Sequence, residues 1–455
     1  MKRSFADIMA GLDTDRAQKV ARKLPAWAAV DGLEIPSALA LEQCSSSATA
    51  AYKANLAVST SRSGQLPPET SGCAGPLPSD DGPLPLTMPR VARFPGAVPA
   101  SVPPGTVLDL TGGLGVDSWA LSQVAERVVY FERNEELAAA AGRNFQRLGA
   151  GNIEVRCETV TPQTALPEAD LIYADPARRD AAGRKVFLLE DCTPDILTLL
   201  PMLLKKAPAV LLKLSPMADL AMLAERLGPA LREIHVVECD GEVKEILCLL
   251  LRDNVSPEPD ILVARLFGQA AAVVQQGESL RFRVSEERAA EPVYAAGVQP
   301  GDVLLELCPA LLKAGAFRLP CARWGLSKLA PSTHLYTGAY PPEPPAAINP
   351  FPTLQTQSPG AGRSADADFA SLEHAAWAPF FKAWRVVEVL PLGAAAFKTL
   401  RKSYPRADVT ARNLPMGSAE LQKRSASRPA APSTSSVAAS PTAPPSSSSP
   451  PANDD

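Results

Sequence analysis

Seven short apolar segments between residues 105 and 252 constrain the fold most, because most of them alternate with stretches of helical composition. They are TVLDL, RVVYFE, IEVRC, ADLIYAD, AVLLKLS, EIHVVEC and EILCLLL. Near-continuous apolar strands separated by helices are typical of a parallel sheet that is covered on both faces. The last two segments are joined by CDGEVK, which suits an antiparallel hairpin at the sheet edge. The sequence therefore predicts an α/β fold with a doubly wound, seven-stranded sheet that ends in a hairpin.

Composition separates this predicted domain, residues 105–254, from what precedes it. Residues 1–58 mix charges with alanine and leucine, which predicts helices, whereas residues 59–104 are rich in serine, glycine and proline. A segment of the second kind buries too little apolar surface to offset the entropy lost on ordering. We therefore expect an N-terminal helical region followed by a flexible insertion.

The chain of 455 residues is also long enough for further domains after residue 254. Residues 258–330 and 331–424 each contain strand and helix patterns, which predicts two small α+β domains. Residues 425–455 are almost only serine, proline and alanine. We expect this last segment to be a disordered tail, for the same reason as the insertion.

The net charge of −4 produces no global positive field, so any nucleic-acid surface has to be local. Between Lys382 and Arg424 nine basic residues stand against three acidic ones, a local net charge of +6. Phosphate contacts need such a patch, although a solvated helix face has the same composition. The candidate substrate-binding residues of this segment are Lys398, Arg401, Lys402 and Arg412.

Cysteine, histidine and hydropathy patterns exclude several classes of protein. The eight cysteines form no C-x-x-C pair and there are only three histidines, so we expect no metal site. No apolar run approaches the roughly 18 residues that a membrane helix requires. The N-terminus MKRSFADIMAGLD lacks the apolar core of a signal peptide. We expect a cytoplasmic protein with reduced thiols and no membrane partner.

The first predicted strand leads into the glycine-rich turn VLDLTGGLGVD. Gly113 and Gly115 allow the backbone to turn tightly and to approach a ligand closely. Asp109 ends the strand where a carboxylate can contact an amine, and Glu132 ends the next strand where an acid can accept hydrogen bonds from ribose hydroxyls. Ser118 replaces the last glycine of a G-x-G-x-x-G motif, which disfavours a pyrophosphate ligand. The alternative is a turn that only packs a helix.

Polar residues also follow later strands, at the edge where doubly wound sheets bind ligands. The fourth strand ends in ADPARR with Asp175, the fifth in KLSPM with Lys213, and the hairpin carries GEVKE with Glu245. Three such strand ends argue against simple core packing. The two residues of this edge that suit phosphate anchors are Arg178 and Arg179.

The motifs DLTGGLGVD, DPARR, KLSPM and GEVKEIL together resemble a family of bacterial-type class I methyltransferases that depend on S-adenosylmethionine. EQCSSSATAAYKA, AGAFR, LAPSTHLYTG and TARNLP resemble the same family, so the likeness covers most of residues 25–424. It implies a ferredoxin-like domain at residues 258–330 and a THUMP-like domain at residues 331–424. Because THUMP-type modules are associated with RNA, the resemblance implies an RNA methyltransferase.

The resemblance also implies a cofactor site. Thr111 stands at the first glycine of the D-x-G-x-G-x-G turn, a change that the relatives share, and Glu158 follows the third strand where it can hold the adenine or remain a solvated carboxylate. The candidate S-adenosylmethionine-binding residues are Asp109, Thr111, Gly113, Gly115, Asp117, Glu132, Glu158 and Asp175.

Two chemistries remain open for the acceptor. In one, Lys53, Asp175, Lys213 and Glu245 form a Lys–Asp–Lys–Glu tetrad, in which a lysine lowers the effective pKa of a ribose 2′-hydroxyl. In the other, Asp175 and its neighbours hydrogen-bond a nitrogen of a base, whose lone pair attacks the methyl group. A methyltransferase of proteins or small molecules, and a catalytically silent RNA-binding scaffold, are the alternatives to an RNA methyltransferase.

Overall fold

A computed structural model of the chain describes residues 15–60, 104–177, 192–267, 278–338, 377–405, 407–425 and 436–439. The chain divides into two compact units, with the boundary between Val284 and Ser285. Most of the predicted insertion and the two candidate phosphate anchors, Arg178 and Arg179, lie outside the described residues.

A nine-stranded mixed sheet forms the centre of the first unit. Its strands are β1 (Thr106–Asp109), β2 (Arg127–Phe131), β3 (Ile153–Arg156), β4 (Leu171–Ala174), β5 (Ala209–Leu214), β6 (Leu231–Cys239), β7 (Glu242–Leu251), β8 (Asp260–Leu266) and β9 (Glu278–Arg283). Their order is β3–β2–β1–β4–β5–β7–β6–β8–β9, and β1 to β5 are parallel. The order reverses between β1 and β4, which is where doubly wound sheets bind ligands beyond the carboxyl ends of their strands.

The first seven strands lie where the apolar segments predicted them, and the predicted hairpin is confirmed. β6 and β7 are joined by Asp240 and Gly241, whose φ angles of 53° and 78° are both positive. A two-residue turn of this kind matches the right-handed twist of antiparallel strands. Because the turn keeps β7 against β6, the acidic residues at the start of β7 lie at the same sheet edge as the ends of β4 and β5.

The predicted count of seven strands, the hairpin at the sheet edge and the domain start at residue 258 are wrong. β8 pairs in parallel with β6, and β9 pairs antiparallel with β8, so both belong to the large sheet. β6 would otherwise present unpaired backbone groups at an edge, and Arg265 of β8 also forms an ion pair with Glu238 of β6 at 2.7 Å. The alternating pattern of these two strands fits any half-buried sheet, so the sequence did not show which sheet they join.

Helices cover both faces of this sheet. They are α1 (Pro25–Ala28), α2 (Ala38–Gln43), α3 (Ser47–Thr60), α4 (Val116–Ser122), α5 (Glu135–Arg147), α6 (Ile196–Lys206) and α7 (Leu220–Leu227). Asn134, Asp195 and Asp219 cap α5, α6 and α7 by accepting a hydrogen bond from a backbone N–H of the first turn. The caps explain where these helices begin, and α5 and α7 start shortly after the carboxyl ends of β2 and β5.

The N-terminal helices belong to the same unit as the sheet. Leu24, Trp27 and Leu41 pack with Leu114 and Val116, which flank the end of the glycine-rich turn. α3 packs against the sheet itself through Tyr52 and Ala57. The predicted helical region therefore covers the carboxyl edge of the sheet, where the candidate site lies.

The second unit contains a four-stranded antiparallel sheet with the order β11–β12–β10–β13 and a two-stranded parallel pair. The strands are β10 (Val303–Leu307), β11 (Ser327–Lys328), β12 (Leu335–Thr337), β13 (Phe381–Arg385), β14 (Asp408–Ala411) and β15 (Ser436–Ala439). The helices are α8 (Val284–Ala289), α9 (Pro309–Ala314), α10 (Leu319–Trp324), α11 (Ala394–Ser403) and α12 (Ser418–Ser425). Within the described ranges, every helix of the chain is too short or too polar to cross a membrane.

The prediction of a wholly disordered segment 425–455 is wrong for the four residues of β15. They pair in parallel with β14, and Val437 lies opposite Val409. The open edge of β14 provides the backbone donors and acceptors with which β15 pairs. Composition averaged over the segment hid this short apolar stretch.

The glycine-rich turn requires Gly115, which yields a test of its packing. Gly115 has φ +88°, and a Cβ atom there would lie 2.6 Å from Cζ of Phe145. We expect Gly115→Ala to lower the free energy of unfolding by about 3 kcal/mol, through the strained φ and the clash together. Gly149→Ala is the control, since Gly149 has φ +70° with no atom within 4 Å of the added Cβ, and should lose about 1 kcal/mol. Equal losses in urea unfolding would contradict the packing role.

Candidate active site

The turn between β1 and α4 is closed by contacts that only glycine allows. A Cβ on Gly112 would lie 2.0 Å from the ring of Tyr130, whose hydroxyl donates a hydrogen bond to the carbonyl of Gly113 at 2.6 Å. The amide of Gly113 in turn donates to Oε2 of Glu132 at 2.9 Å. The strand, the turn and the acid at the end of β2 thus form one rigid arrangement.

This arrangement fits a nucleoside ligand. Gly113 has φ +54°, and a Cβ there would meet no atom nearer than the carbonyl oxygen of Thr111 at 3.8 Å, so this side of the turn is open. Glu132 is half-buried beside it and also accepts a hydrogen bond from the amide of Asn134 at 2.7 Å. A carboxylate accepts about four hydrogen bonds, so Glu132 retains capacity for two ribose hydroxyls.

Asp109 has a different role from the one that the sequence predicted. The side chain is 1% exposed, and its oxygens accept hydrogen bonds from the hydroxyl of Ser118 at 2.5 Å and the amide of Thr111 at 3.0 Å. Burial raises the pKa of Asp109 to about 7, although both hydrogen bonds act in the opposite direction. Asp109 therefore holds the turn from inside and is not placed to contact a ligand amine.

Asp175 and Lys213 form an accessible ion pair at the ends of β4 and β5. The ammonium of Lys213 donates to Oδ2 of Asp175, and the Asp175 side chain is 35% exposed. The backbone amide of Asp175 donates to Oγ1 of Thr111 at 2.6 Å. The pair is therefore fixed directly to the glycine-rich turn, and its carboxylate faces solvent beside it.

The charge of Lys213 is set by several carboxylates. Burial disfavours the ammonium, but Asp175, Glu245 and Asp117 more than offset it and raise the pKa of Lys213. Lys213 is consequently a permanent cation near neutral pH. It stabilises negative charge and does not accept a proton.

Lys53 lies in a second, closed network behind this pair. Its ammonium donates to both carboxylate oxygens of Glu245 at 2.9 Å and to Oγ of Ser45 at 3.0 Å, and it lies 3.3 Å from Oδ1 of Asp117. Lys53 is 1% exposed and Glu245 2% exposed. The network joins α3, the start of β7 and the first turn of α4.

Asp117 connects this network to the glycine-rich turn. Its Oδ2 accepts hydrogen bonds from the hydroxyls of Ser45 at 2.8 Å and Tyr173 at 2.9 Å. Burial opposes the charge on Asp117, but Lys53 and Lys213 together with these hydroxyls lower its pKa. Asp117 therefore remains ionised, and its carboxylate is held by Lys53, Ser45 and Tyr173.

The predicted tetrad is thus divided into two pairs, Lys213 with Asp175 and Lys53 with Glu245. Ser45 and Tyr173, which complete the network around Asp117, were not among the site residues predicted from the sequence. Ser45 lies within the EQCSSSATAAYKA stretch, and Tyr173 lies two residues before Asp175, so both were within motifs already noted.

The remaining cofactor candidate, Glu158, is exposed on the loop after β3.

The basic residues of the second unit lie on two elements. Lys398, Arg401 and Lys402 are exposed on α11, where Arg401 also donates to the carbonyl of Arg424 at 2.8 Å. Arg412 follows β14 and forms an ion pair with Glu306 of β10. The α11 residues are therefore free to meet a partner, whereas Arg412 contributes to the fold of this unit.

Among the side chains that the structure describes, no three His, Cys, Asp or Glu residues converge as a metal site requires. The polar groups of the candidate site instead pair with one another as cations and anions.

Comparisons with known proteins support the architecture. A solved structure of a candidate methyltransferase from Porphyromonas gingivalis W83 matches with a TM-score of 0.64 at 28% identity, covering 92% of this chain and 84% of that chain. Residues 304–344 match a family model described as a ferredoxin-like domain, which overlaps the predicted domain and extends past residue 330. The THUMP-like interpretation of residues 331–424 stays a prediction.

Two further structural matches each cover about a third of the chain. An rRNA methylase from Streptococcus thermophilus has a TM-score of 0.25 at 14% identity, covering 32% of this chain and 87% of that one. A SAM-dependent methyltransferase from Aquifex aeolicus has a TM-score of 0.24 at 18% identity, covering 32% and 82%. No curated protein sequence matches the chain. The match from Porphyromonas gingivalis thus supports the fold and leaves the substrate of the chain open.

The raised pKa of Asp109, about 7, makes the stability of the first unit depend on pH. An unfolded aspartate has a pKa of about 3.9, so the contribution of Asp109 is fully present below pH ~4 and is lost as the pH rises through about 7. Asp109→Asn keeps the bonds of the protonated acid and removes the titration. We expect the free energy of unfolding of the wild type to fall relative to this variant by about 4 kcal/mol between pH 4 and 8.

Asn152→Ala provides the control in urea unfolding at each pH. The Asn152 side chain has no titratable group and donates hydrogen bonds to the carbonyls of Ser122 at 2.9 Å and Ala125 at 3.0 Å. The gap between the wild type and Asn152→Ala should stay constant with pH. A constant gap for Asp109→Asn as well would show that Asp109 is not the titrating group.

Proposed function

We propose that the chain is an S-adenosylmethionine-dependent methyltransferase that acts on a base nitrogen of RNA. The observation that carries the proposal is the bond from the Asp175 amide to Thr111, which fixes an accessible carboxylate to the glycine-rich turn. An acceptor held by Asp175 would lie beside a ligand held by the turn. The sheet order, with its switch point between β1 and β4, supports the same placement.

The cofactor would be held by the open side of the turn at Gly113 and by Glu132, which would accept the ribose hydroxyls. The close packing at Gly115 and the buried hydrogen bond that Asp109 accepts from the turn would keep the turn in this conformation. The bound cofactor supplies an electrophilic methyl group. The chain's own contribution is alignment and charge, because holding two reactants in line removes much of the barrier to transfer.

The pairing of Lys213 with carboxylates favours a nitrogen acceptor over a ribose hydroxyl. A 2′-hydroxyl needs a base or a lowered pKa to become nucleophilic. The ammonium of Lys213 cannot take its proton, and because Asp175, Glu245 and Asp117 neutralise its charge, it lowers the pKa of a hydroxyl little. Lys53 is buried and cannot reach the acceptor. Asp175 can accept a hydrogen bond from an amino or ring N–H, which orients the nitrogen lone pair.

The basic residues of α11 support RNA as the substrate class. Lys398, Arg401 and Lys402 are exposed on one short helix within a segment of net charge +6 in an acidic chain. Exposed ammonium and guanidinium groups of this kind bind phosphates without reading sequence.

Incubation of the full chain with methyl-labelled S-adenosylmethionine, and with total RNA or total protein in parallel, tests the proposal. We expect label in RNA, and digestion to nucleosides should place it on a base nitrogen. Label on ribose would contradict the acceptor assignment, and label in protein alone would contradict RNA. Label in neither pool would overturn the assignment as an enzyme.

Asp175→Asn tests the role of the carboxylate in the same assay. The amide retains the shape of the side chain but loses the charge that orients the acceptor, so we expect kcat to fall about 100-fold. Affinity for S-adenosylhomocysteine should not change. Asp219→Asn is the control, because Asp219 caps α7 after the neighbouring strand and asparagine caps a helix equally well. Equal activity of the two variants would contradict the assignment.

A further inference from the structure

A buried series of hydrogen-bonded polar groups connects α3 to β8 and β9, the two strands that extend the sheet beyond the seven predicted. The hydroxyl of Tyr52 on α3 lies 2.7 Å from Nδ1 of His235 on β6, and Nε2 of His235 lies 3.0 Å from Oε2 of Glu233. Arg281 of β9 binds Oε1 of Glu233 at 2.8 Å and Oδ2 of Asp260 on β8 at 2.6 Å. Tyr52 is 5% exposed and His235 0% exposed, so the first link lies inside the core.

The charge of Glu233 and the protonated hydroxyl of Tyr52 define how this series of polar groups is hydrogen-bonded. Burial opposes ionisation of Glu233, but His235 and Arg281 lower its pKa to about 2, so it is a carboxylate. Nε2 of His235 therefore donates its proton to this carboxylate. Burial, reinforced by the charge of Glu233, raises the pKa of Tyr52, so its hydroxyl keeps its proton and shares a hydrogen bond with Nδ1 of His235.

Tyr52 precedes Lys53 directly on α3. The other α3 contacts with the sheet and the N-terminal core are made largely by alanines, including Ala48, Ala50, Ala54 and Ala57. Small apolar side chains bury area but do not define the rotation of a helix about its axis, whereas a directional bond does. A rotation of α3 would move the Lys53 ammonium away from the two oxygens of Glu245 that it binds.

We infer that Tyr52, His235 and Glu233 form a relay that positions α3, and with it Lys53, from β8 and β9. The inference rests on the proposed function. Lys53 would affect methyl transfer only indirectly, because it positions Glu245 and Asp117, and these two carboxylates keep Lys213 protonated. Tyr52 and His235 touch neither acceptor nor cofactor in this scheme. They are positioning residues, and β8 and β9 act on the site through them.

Tyr52→Phe tests the inference, since it removes one hydroxyl and keeps the packed ring. We expect kcat to fall about tenfold, the effect of one lost hydrogen bond of about 1.4 kcal/mol. The KM for S-adenosylmethionine and the calorimetric affinity for S-adenosylhomocysteine should be unchanged, since the glycine-rich turn is untouched. Tyr336→Phe is the matched control, because the Tyr336 hydroxyl is also buried and donates to a carbonyl, that of Phe317, at 2.7 Å in the second unit. It should leave kcat unchanged.

Hydrogen exchange provides a readout that does not require activity. Amides of residues 47–60 should exchange about tenfold faster in Tyr52→Phe than in the wild type, and at the wild-type rate in Tyr336→Phe. Unchanged exchange would overturn the relay, and faster exchange with normal kcat would overturn its positioning role. A wild type that labels no substrate would overturn the proposed function instead, while exchange still decides whether the relay holds α3.

A double-mutant cycle distinguishes the relay from a general loss of packing. The double variant of Tyr52→Phe and His235→Leu should lose no more kcat than His235→Leu alone, because without His235 the Tyr52 hydroxyl has no relay bond left to remove. His235→Asn, which keeps an acceptor near Nδ1, should recover part of the loss. Additive losses, or no difference between His235→Asn and His235→Leu, would contradict the relay.

Discussion

The buried ammonium of Lys53 is the interaction on which the carboxyl edge of the sheet depends. It brings Glu245, from the start of β7, and Asp117, from the first turn of α4, into contact with α3. Two buried carboxylates without this cation would repel each other in a medium of low dielectric constant, and breaking a buried pair of this kind costs about 3–5 kcal/mol. Three elements that are distant in sequence therefore have one arrangement in which all three charges are satisfied.

The same charges determine what the accessible pair at the site can do. Glu245 and Asp117 add to Asp175 in keeping Lys213 protonated, so the open face of the site presents a fixed cation and a fixed carboxylate. The backbone amide of Asp175 is bonded to Thr111. The carboxylate that would hold the acceptor is therefore fixed to the turn that would hold the cofactor. When the nucleophile is a nitrogen, methyl transfer depends more on the alignment of the two reactants than on help from an acid or base. A rigid site provides this alignment.

Much of this could be predicted from the sequence, because strands and turns leave local signals. Seven apolar segments predicted seven strands, and the positions of Asp175, Lys213 and Glu245 followed from the rule that parallel strands end at one edge. Contacts between distant segments left no such signal. Tyr52 and His235 are 183 residues apart, and nothing in either segment indicates that they meet. The burial of Lys53 and Asp109, which changes the role assigned to each, likewise depends on tertiary packing.

The most direct test of the account is a calorimetric titration of S-adenosylhomocysteine into the full chain and into its Glu132→Gln variant. The account predicts one site in the wild type and about 100-fold weaker binding in the variant, because each ribose hydroxyl loses a charged partner. Glu136→Gln, an exposed acid in the first turn of α5, should bind as the wild type does. An absence of binding by the wild type, or equal affinity in Glu132→Gln, would contradict the placement of the cofactor at this turn.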